Sequence, residues 1–138
     1  MHFFQRKAQA SLEYMALFAL MSVVLLTASY YLYSNFQVQS RAFQARIAVD
    51  QIASAADAVA SQGIGSSKQV SAYFPSGLIN ATGRGREILL VIPGSDGRPN
   101  DVYAFTLANL SAYQFPLVEG RHTFNVAFNA NGNVSISG

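Results

Sequence analysis

No side chain between Tyr14 and Ser40 carries a charge, yet a carboxylate, Glu13, stands at the mouth of that run, and a basic pair, Arg6 and Lys7, lies just before it. Two kinds of chemistry are open to such an acid. It can sit in the first turn of a helix, where the macrodipole favours it by about 0.3–1 kcal/mol. It can also serve an ion pair, because an acid deeper in lipid costs about 2 to 4 kcal/mol and such residues have partners. Arg6 and Lys7 are possible local partners. The remaining candidates are weaker. Cysteine is absent, which excludes disulfides, thiolate metal sites and a cysteine nucleophile. The only histidines are His2 and His122, and His122 beside Arg121 reads as a surface residue at a strand start. Asp96, Asn100 and Asp101 in "GSDGRPND" could offer oxygens to calcium, but the spacing is not that of an EF-hand, and an Asx-rich turn accounts for them. Arg84 and Arg86 in "GRGRE" lack the following Lys-Ser/Thr of a phosphate loop and read as turn cations. No catalytic residue, metal site or cofactor is predicted, and the chain does not read as an enzyme. Three N-x-S/T triplets, at Asn80, Asn109 and Asn133, are acceptors for N-glycosylation. Asn80 is the best placed, in a predicted loop, and Asn133, at a strand start, the worst.

The elements that position these groups follow from composition and periodicity. The 138 residues suffice for one domain and one extra element, and 51% hydrophobic against 12% charged residues argues against disorder. A formal charge of +2 with scattered bases gives no nucleic-acid footprint. As a helix, residues 12–33 span roughly 33 Å, enough to cross a hydrocarbon core. Bases precede the run and the next charge after it is Arg41, which predicts a cytoplasmic N-terminus and an external C-terminal part. Tyr30, Tyr31, Tyr33 and Phe36 cluster at the outer interface. A cleaved secretory signal has a shorter apolar core, although Thr27-Ala28-Ser29 is a passable exit.

No proline or glycine falls between Gln9 and Gln62. One helix is therefore predicted over residues 11–62, the alternative being two helices broken near Ser34-Asn35. Residues 9–35 form its transmembrane or assembly part, and 36–62 an amphipathic continuation with Phe36, Phe43, Ile47, Ile52, Ala56 and Val59 on the inward stripe. Gly63 and Gly65 end it. Strands are predicted at 69–74, 87–92, 102–107, 122–129 and 133–137, with "NANGN" as a hairpin turn and "SGLINATGRGR" as a loop. The fold class is α+β: a long N-terminal helix with a small antiparallel β-sheet head at 63–138, a lollipop whose outer helix half covers one sheet face.

Residues 6–14 read Arg-Lys-Ala-Gln-Ala-Ser-Leu-Glu-Tyr. This resembles the class III signal peptide of archaeal type IV pilin precursors, a basic pair and a small residue followed by Q-x-S-x-E. Gln9, Ser11 and Glu13 fill the pattern, and the likeness covers about the first 35 residues. It implies that a prepilin peptidase cuts between Ala8 and Gln9 on the cytoplasmic side, recognising Arg6 and Lys7 and releasing residues 1–8 as a leader. Glu13 then becomes the fifth residue of the mature chain, and its carboxylate meets the N-terminal amine of Gln9 in a neighbouring subunit. Loss of Arg6 and Lys7 leaves seven bases against seven acids. The implied partners are further copies in a homopolymeric surface filament, the peptidase, an assembly platform and, before assembly, the membrane. Ala16, Ala19 and Ser22 permit close helix approach. The alternative is a singly anchored or minor pilin-like protein whose head binds something, as in adhesion.

Overall fold

The computed structural model describes the backbone from His2 to Gly138 and side chains from Ala8 onward. Helix α1 spans His2–Gln62, followed by β1 (Ser67–Phe74), β2 (Asn80–Pro93), β3 (Pro99–Gln114), β4 (Gly120–Phe128) and β5 (Val134–Ser137). The architecture is α+β, as expected. Ser34 and Asn35 are helical, so the broken-helix alternative falls. The chain divides into two compact units, one ending at Phe36 and the other Gln37–Gly138.

The first unit is helix alone. Its apolar side chains are exposed on every side: Leu12, Phe18, Leu26 and Tyr30 are each about 70% accessible or more. Its hydroxyls bond back along the helix, Ser22 Oγ to the Phe18 carbonyl at 2.8 Å and Thr27 Oγ1 to that of Val23 at 2.9 Å. Such back-bonding leaves the stem with few unmet polar groups.

The second unit packs the remaining helix on a five-stranded sheet of order β1-β4-β5-β3-β2. All pairings are antiparallel except β3 with β5, which meet in parallel at Leu110↔Val134. The buried helix face is Ala45, Ala48, Val49, Ile52, Ala53, Ala55, Ala56 and Val59, a repeat of three and four residues. Five of the eight are alanine, so the helix axis can approach the sheet closely. The sheet answers with larger residues, among them Ile88, Leu90 and Ile92 of β2 and Val126 of β4. Full burial of each such side chain is worth about 1.5–3 kcal/mol. At one end, Phe74, Phe115 and Phe124 form an aromatic cluster with centroids 5.2–5.9 Å apart. Edge-to-face approach of Phe115 to the other two suits their quadrupoles.

The inward stripe differs from the expected one. Ile52, Ala56 and Val59 are buried, but Phe36 and Phe43 are 67% and 68% exposed and Ile47 is 42% exposed. Phe43 and Ile52 are nine residues apart, about two and a half turns, and so lie on opposite faces. Large side chains on one face and small ones on the other gave two competing stripes, and the small one carries the contact.

Gly63, with φ of 101°, ends the helix, and the Ser66 amide bonds to its carbonyl at 3.2 Å. The predicted loop over "INATGRGR" is mostly strand: Thr82 pairs with Gln114 and Gly83 with Tyr113. The register slips between Gly83 and Gly85 and again before Glu87. These glycines mark places where β3 bulges against β2, not a turn between strands. A Cβ on Gly83 would lie 3.3 Å from the Phe115 ring, so the aromatic cluster takes up its side-chain space. The two predicted turns stand. Gly94 and Arg98 close the β2–β3 hairpin at 2.8 Å, and Asn129 and Asn133 close β4–β5 at 2.9 Å.

Candidate functional site

In the helical stem, Ala8, Gln9 and Glu13 are all exposed. Gln9 and Glu13 are one turn apart and share a helix face. Continuing at helical spacing, that face carries Ala16, Leu20, Val24 and Tyr31. A carboxylate thus heads a stripe that is otherwise apolar. The side chains of Arg6 and Lys7 lie outside the described residues. By length and composition the helix can cross a membrane, and the window that qualifies it is unburied.

In the sheet unit, the register explains a site that sequence reasoning missed. Between Glu87↔Phe105 and Gly85↔Leu110, β2 advances two residues while β3 advances five. Residues 106–109 therefore bulge out of the ladder. On its other side β3 meets β5 only at Leu110, because β5 is four residues long. Helix side chains take the place of a strand there. Asp57 Oδ1 accepts the Leu107 amide at 2.8 Å and that of Ala108 at 3.4 Å. Arg46 Nη1 donates to the Tyr103 carbonyl at 3.3 Å, and its Nε pairs with Asp50 at 3.3 Å. Thr106, the one buried polar residue among those described, donates Oγ1 to the Ala108 carbonyl at 2.9 Å. The secured bulge holds Leu107 in water, 85% exposed, next to Phe105 and Tyr103 of the adjoining ladder, 68% and 46% exposed. The signal in the sequence was the alternation of "VYAFTL", whose second, fourth and sixth residues were apolar on the side away from the core.

The glycosylation triplets sit in three settings. Asn80 opens β2 instead of lying in a loop; it is half-buried and its Oδ1 accepts the Ala81 amide at 2.9 Å. Asn109 is exposed, and its Nδ2 donates to Asn133 Oδ1 at 2.8 Å, so two of the triplets share one hydrogen bond. His122 is half-buried near the start of β4. Its Nε2 lies 2.7 Å from the Val118 carbonyl, so that nitrogen carries the proton, and the ring lies 5.3 Å from that of Phe74. Asp96 is taken up by its own turn, Oδ1 accepting the Arg98 amide at 3.2 Å. Asn100 and Asp101 are on β3. Arg84 and Arg86 are exposed on β2 beside the register slips. Among the described residues no three His, Cys, Asp or Glu side chains gather as a metal site would require. Tyr73 on β1 donates to Glu119 Oε1 at 3.3 Å, and the nearby negative charge of Glu119 raises the phenol above its ordinary value.

Comparison with protein-family models, curated proteins and solved structures finds no match. What the arrangement can do therefore rests on its own chemistry. The stem can enter lipid or pack on other apolar helices, its acid can form an ion pair, and the sheet unit can present an apolar bulge.

Proposed function

We propose that the chain is the structural subunit of an archaeal type IV pilus-like surface filament. It is made as a membrane precursor, trimmed between Ala8 and Gln9 by a prepilin peptidase, and assembled through its apolar helix. The observation that carries this reading is a stem exposed and apolar all round, with Glu13 alone at its head, directly after the motif of Gln9 and Ser11. Lipid alone would suit the apolar part, but once Arg6 and Lys7 are trimmed away it gives the carboxylate no partner. A packed bundle of copies suits both. It offers the stem an apolar environment and offers Glu13 the free amine of Gln9 from a neighbour. Two groups that are each costly alone in lipid neutralise one another there. The precursor lies in the cytoplasmic membrane with the sheet unit outside, and the assembled subunit lies at the cell surface.

N-terminal sequencing of the native protein tests the processing step. A start at Gln9 is expected; an intact leader means a single-pass anchor, and a start near Tyr30 means a secreted globular domain. Glu13→Ala tests the assembly step. The variant is expected to enter the membrane normally, since an alanine is easier to bury, and to give few or no filaments by electron microscopy. Filaments of normal number and length from that variant would remove the role assigned to the acid.

A further inference from the structure

The three triplets spelled as N-glycosylation acceptors are treated differently by the fold. A sugar chain is bulky and hydrophilic, so its asparagine must be open to water and both ends of the triplet must be free of the ladder. The triplet at Asn80 fails. Asn80 is half-buried with its Oδ1 on the Ala81 amide. Ala81 has no exposed surface, its carbonyl accepts the Phe115 amide at 2.9 Å, and Thr82 pairs with Gln114. The triplet at Asn133 fails too. Asn133 is half-buried, and the chain then enters β5, an interior strand of the sheet. Val134 pairs with Phe128 on one side and Leu110 on the other. Ser135 pairs with Ala127 and donates its Oγ to that residue's carbonyl at 3.4 Å.

The triplet at Asn109 meets both conditions. From Gly85 to Gly83 β2 moves two residues while β3 moves three, from Leu110 to Tyr113, so residues 111–112 stand outside the ladder as residues 106–109 do. Leu110 is the one anchored residue of the triplet, with Asn109 and Ser111 in register slips on either side. Asn109 is exposed. Its amide has two N–H groups, and one is used in the 2.8 Å bond to Asn133 Oδ1. The other is open to substitution.

We propose that Asn109 is N-glycosylated, and that its sugar is the only one the Asn109–Asn133 pair accepts. The inference rests on the reading that places the sheet unit outside the membrane. The donor is an oligosaccharide linked through phosphate to a lipid. Asn109 Nδ2 bonds to the anomeric carbon, the bond from that carbon to the phosphate oxygen breaks, and the phosphate leaves with the electron pair and takes up the displaced amide proton. The remaining N–H still donates to Asn133, so the sheet loses no hydrogen bond. Exclusion at Asn133 follows from the same contact. Its Nδ2 lies at most about 5.4 Å from that of Asn109, since one C=O and one C–N bond separate oxygen from nitrogen within an amide. A sugar ring begun at one nitrogen fills the space that a second would need.

Trypsin cuts after Lys68, Arg84, Arg86 and Arg121 (the Arg98–Pro99 bond resists it), which puts the three asparagines on separate peptides, 69–84, 87–121 and 122–138. Mass spectrometry of the full chain, purified from its own membranes and filaments, is expected to find sugar mass on 87–121 alone, with fragmentation placing it on Asn109. The intact mass should hold one oligosaccharide per chain. Ser111→Ala, which leaves the bond between the two amides in place, should lose that mass entirely. Sugar on either of the other peptides, two oligosaccharides on one chain, or mass that persists in Ser111→Ala would overturn the proposal. Exposed Lys68 on β1 is labelled in parallel on intact cells with an amine reagent that does not cross membranes. A bare Asn109 in a chain whose Lys68 is labelled overturns the glycan and leaves the external sheet unit standing. A bare Asn109 with Lys68 unlabelled overturns both readings together.

Discussion

Asp57 satisfies two amides that the β3 bulge leaves without a strand partner. A hydrogen bond from a backbone amide to an ionised group contributes more than a neutral one, about 1.5–3 kcal/mol. Asp57→Ala is therefore expected to lower unfolding free energy by about 1–3 kcal/mol. Hydrogen exchange should then quicken at Leu107 and Ala108 before it does elsewhere in the sheet. Asp57→Asn keeps one acceptor oxygen and should lose less; equal exchange rates in all three proteins would show that the bulge holds itself. Tyr73 gives a second test at this scale. Glu119 raises its phenol, so the folded state keeps the proton more tightly than the unfolded chain. The pair's contribution is then fully present below the ordinary tyrosine value near 10 and fades as pH rises through the higher folded value. Glu119→Gln should bring one phenolate titration down towards the ordinary value in an ultraviolet titration, and in a Tyr73→Phe background the same change should shift nothing.

Among the elements, the stem and the turns were legible because their signals are local. A long stretch without proline, glycine or charge specifies the apolar helix, and the glycines at 63, 94, 97 and 132 sit at its end or in hairpin turns. The inward face of residues 37–62 was not legible. Hydrophobic periodicity weights large side chains, and here the contact is made by Ala45, Ala48, Ala53, Ala55 and Ala56 while Phe43 faces outward. The register slips at Gly83 and Gly85 were hidden for a related reason, since glycines that accommodate Phe115 and a bulge in the facing strand look like turn glycines in one sequence. The importance of Asp57 depends on β5 being too short to cover β3, a fact of tertiary pairing alone. The alanine face makes its own prediction. Ala48 has no exposed surface, and adding three carbons there must push helix from sheet. Ala48→Leu should cost about 1–3 kcal/mol by overpacking, despite its greater hydrophobicity. Phe43→Leu on the outer face should stay within about 0.5 kcal/mol in chemical denaturation, as surface substitutions do.

For the molecule as a whole, the boundary at Phe36/Gln37 and the boundary at Gln62/Gly63 have different physical standing. The first divides two compact units; the second cuts through a core in which helix residues 45–59 cover one face of the sheet. A sheet of 63–138 alone would expose Leu90, Ile92, Val102 and Val126, all now buried against that layer or one another, and so small a domain has no core to spare. A fragment of residues 37–138 should therefore remain in aqueous solution without detergent and unfold cooperatively by circular dichroism, because it keeps both layers and leaves out the apolar stem. A fragment of residues 63–138 should show no cooperative transition and should aggregate on size exclusion. The full chain should require detergent or lipid, since residues 12–33 present an apolar surface that nothing within their own unit covers. If 63–138 folds on its own, the helix is an accessory to the sheet. If 37–138 fails to fold, the stem contributes to stability as well as to anchorage, and the division of labour proposed between the two units is wrong.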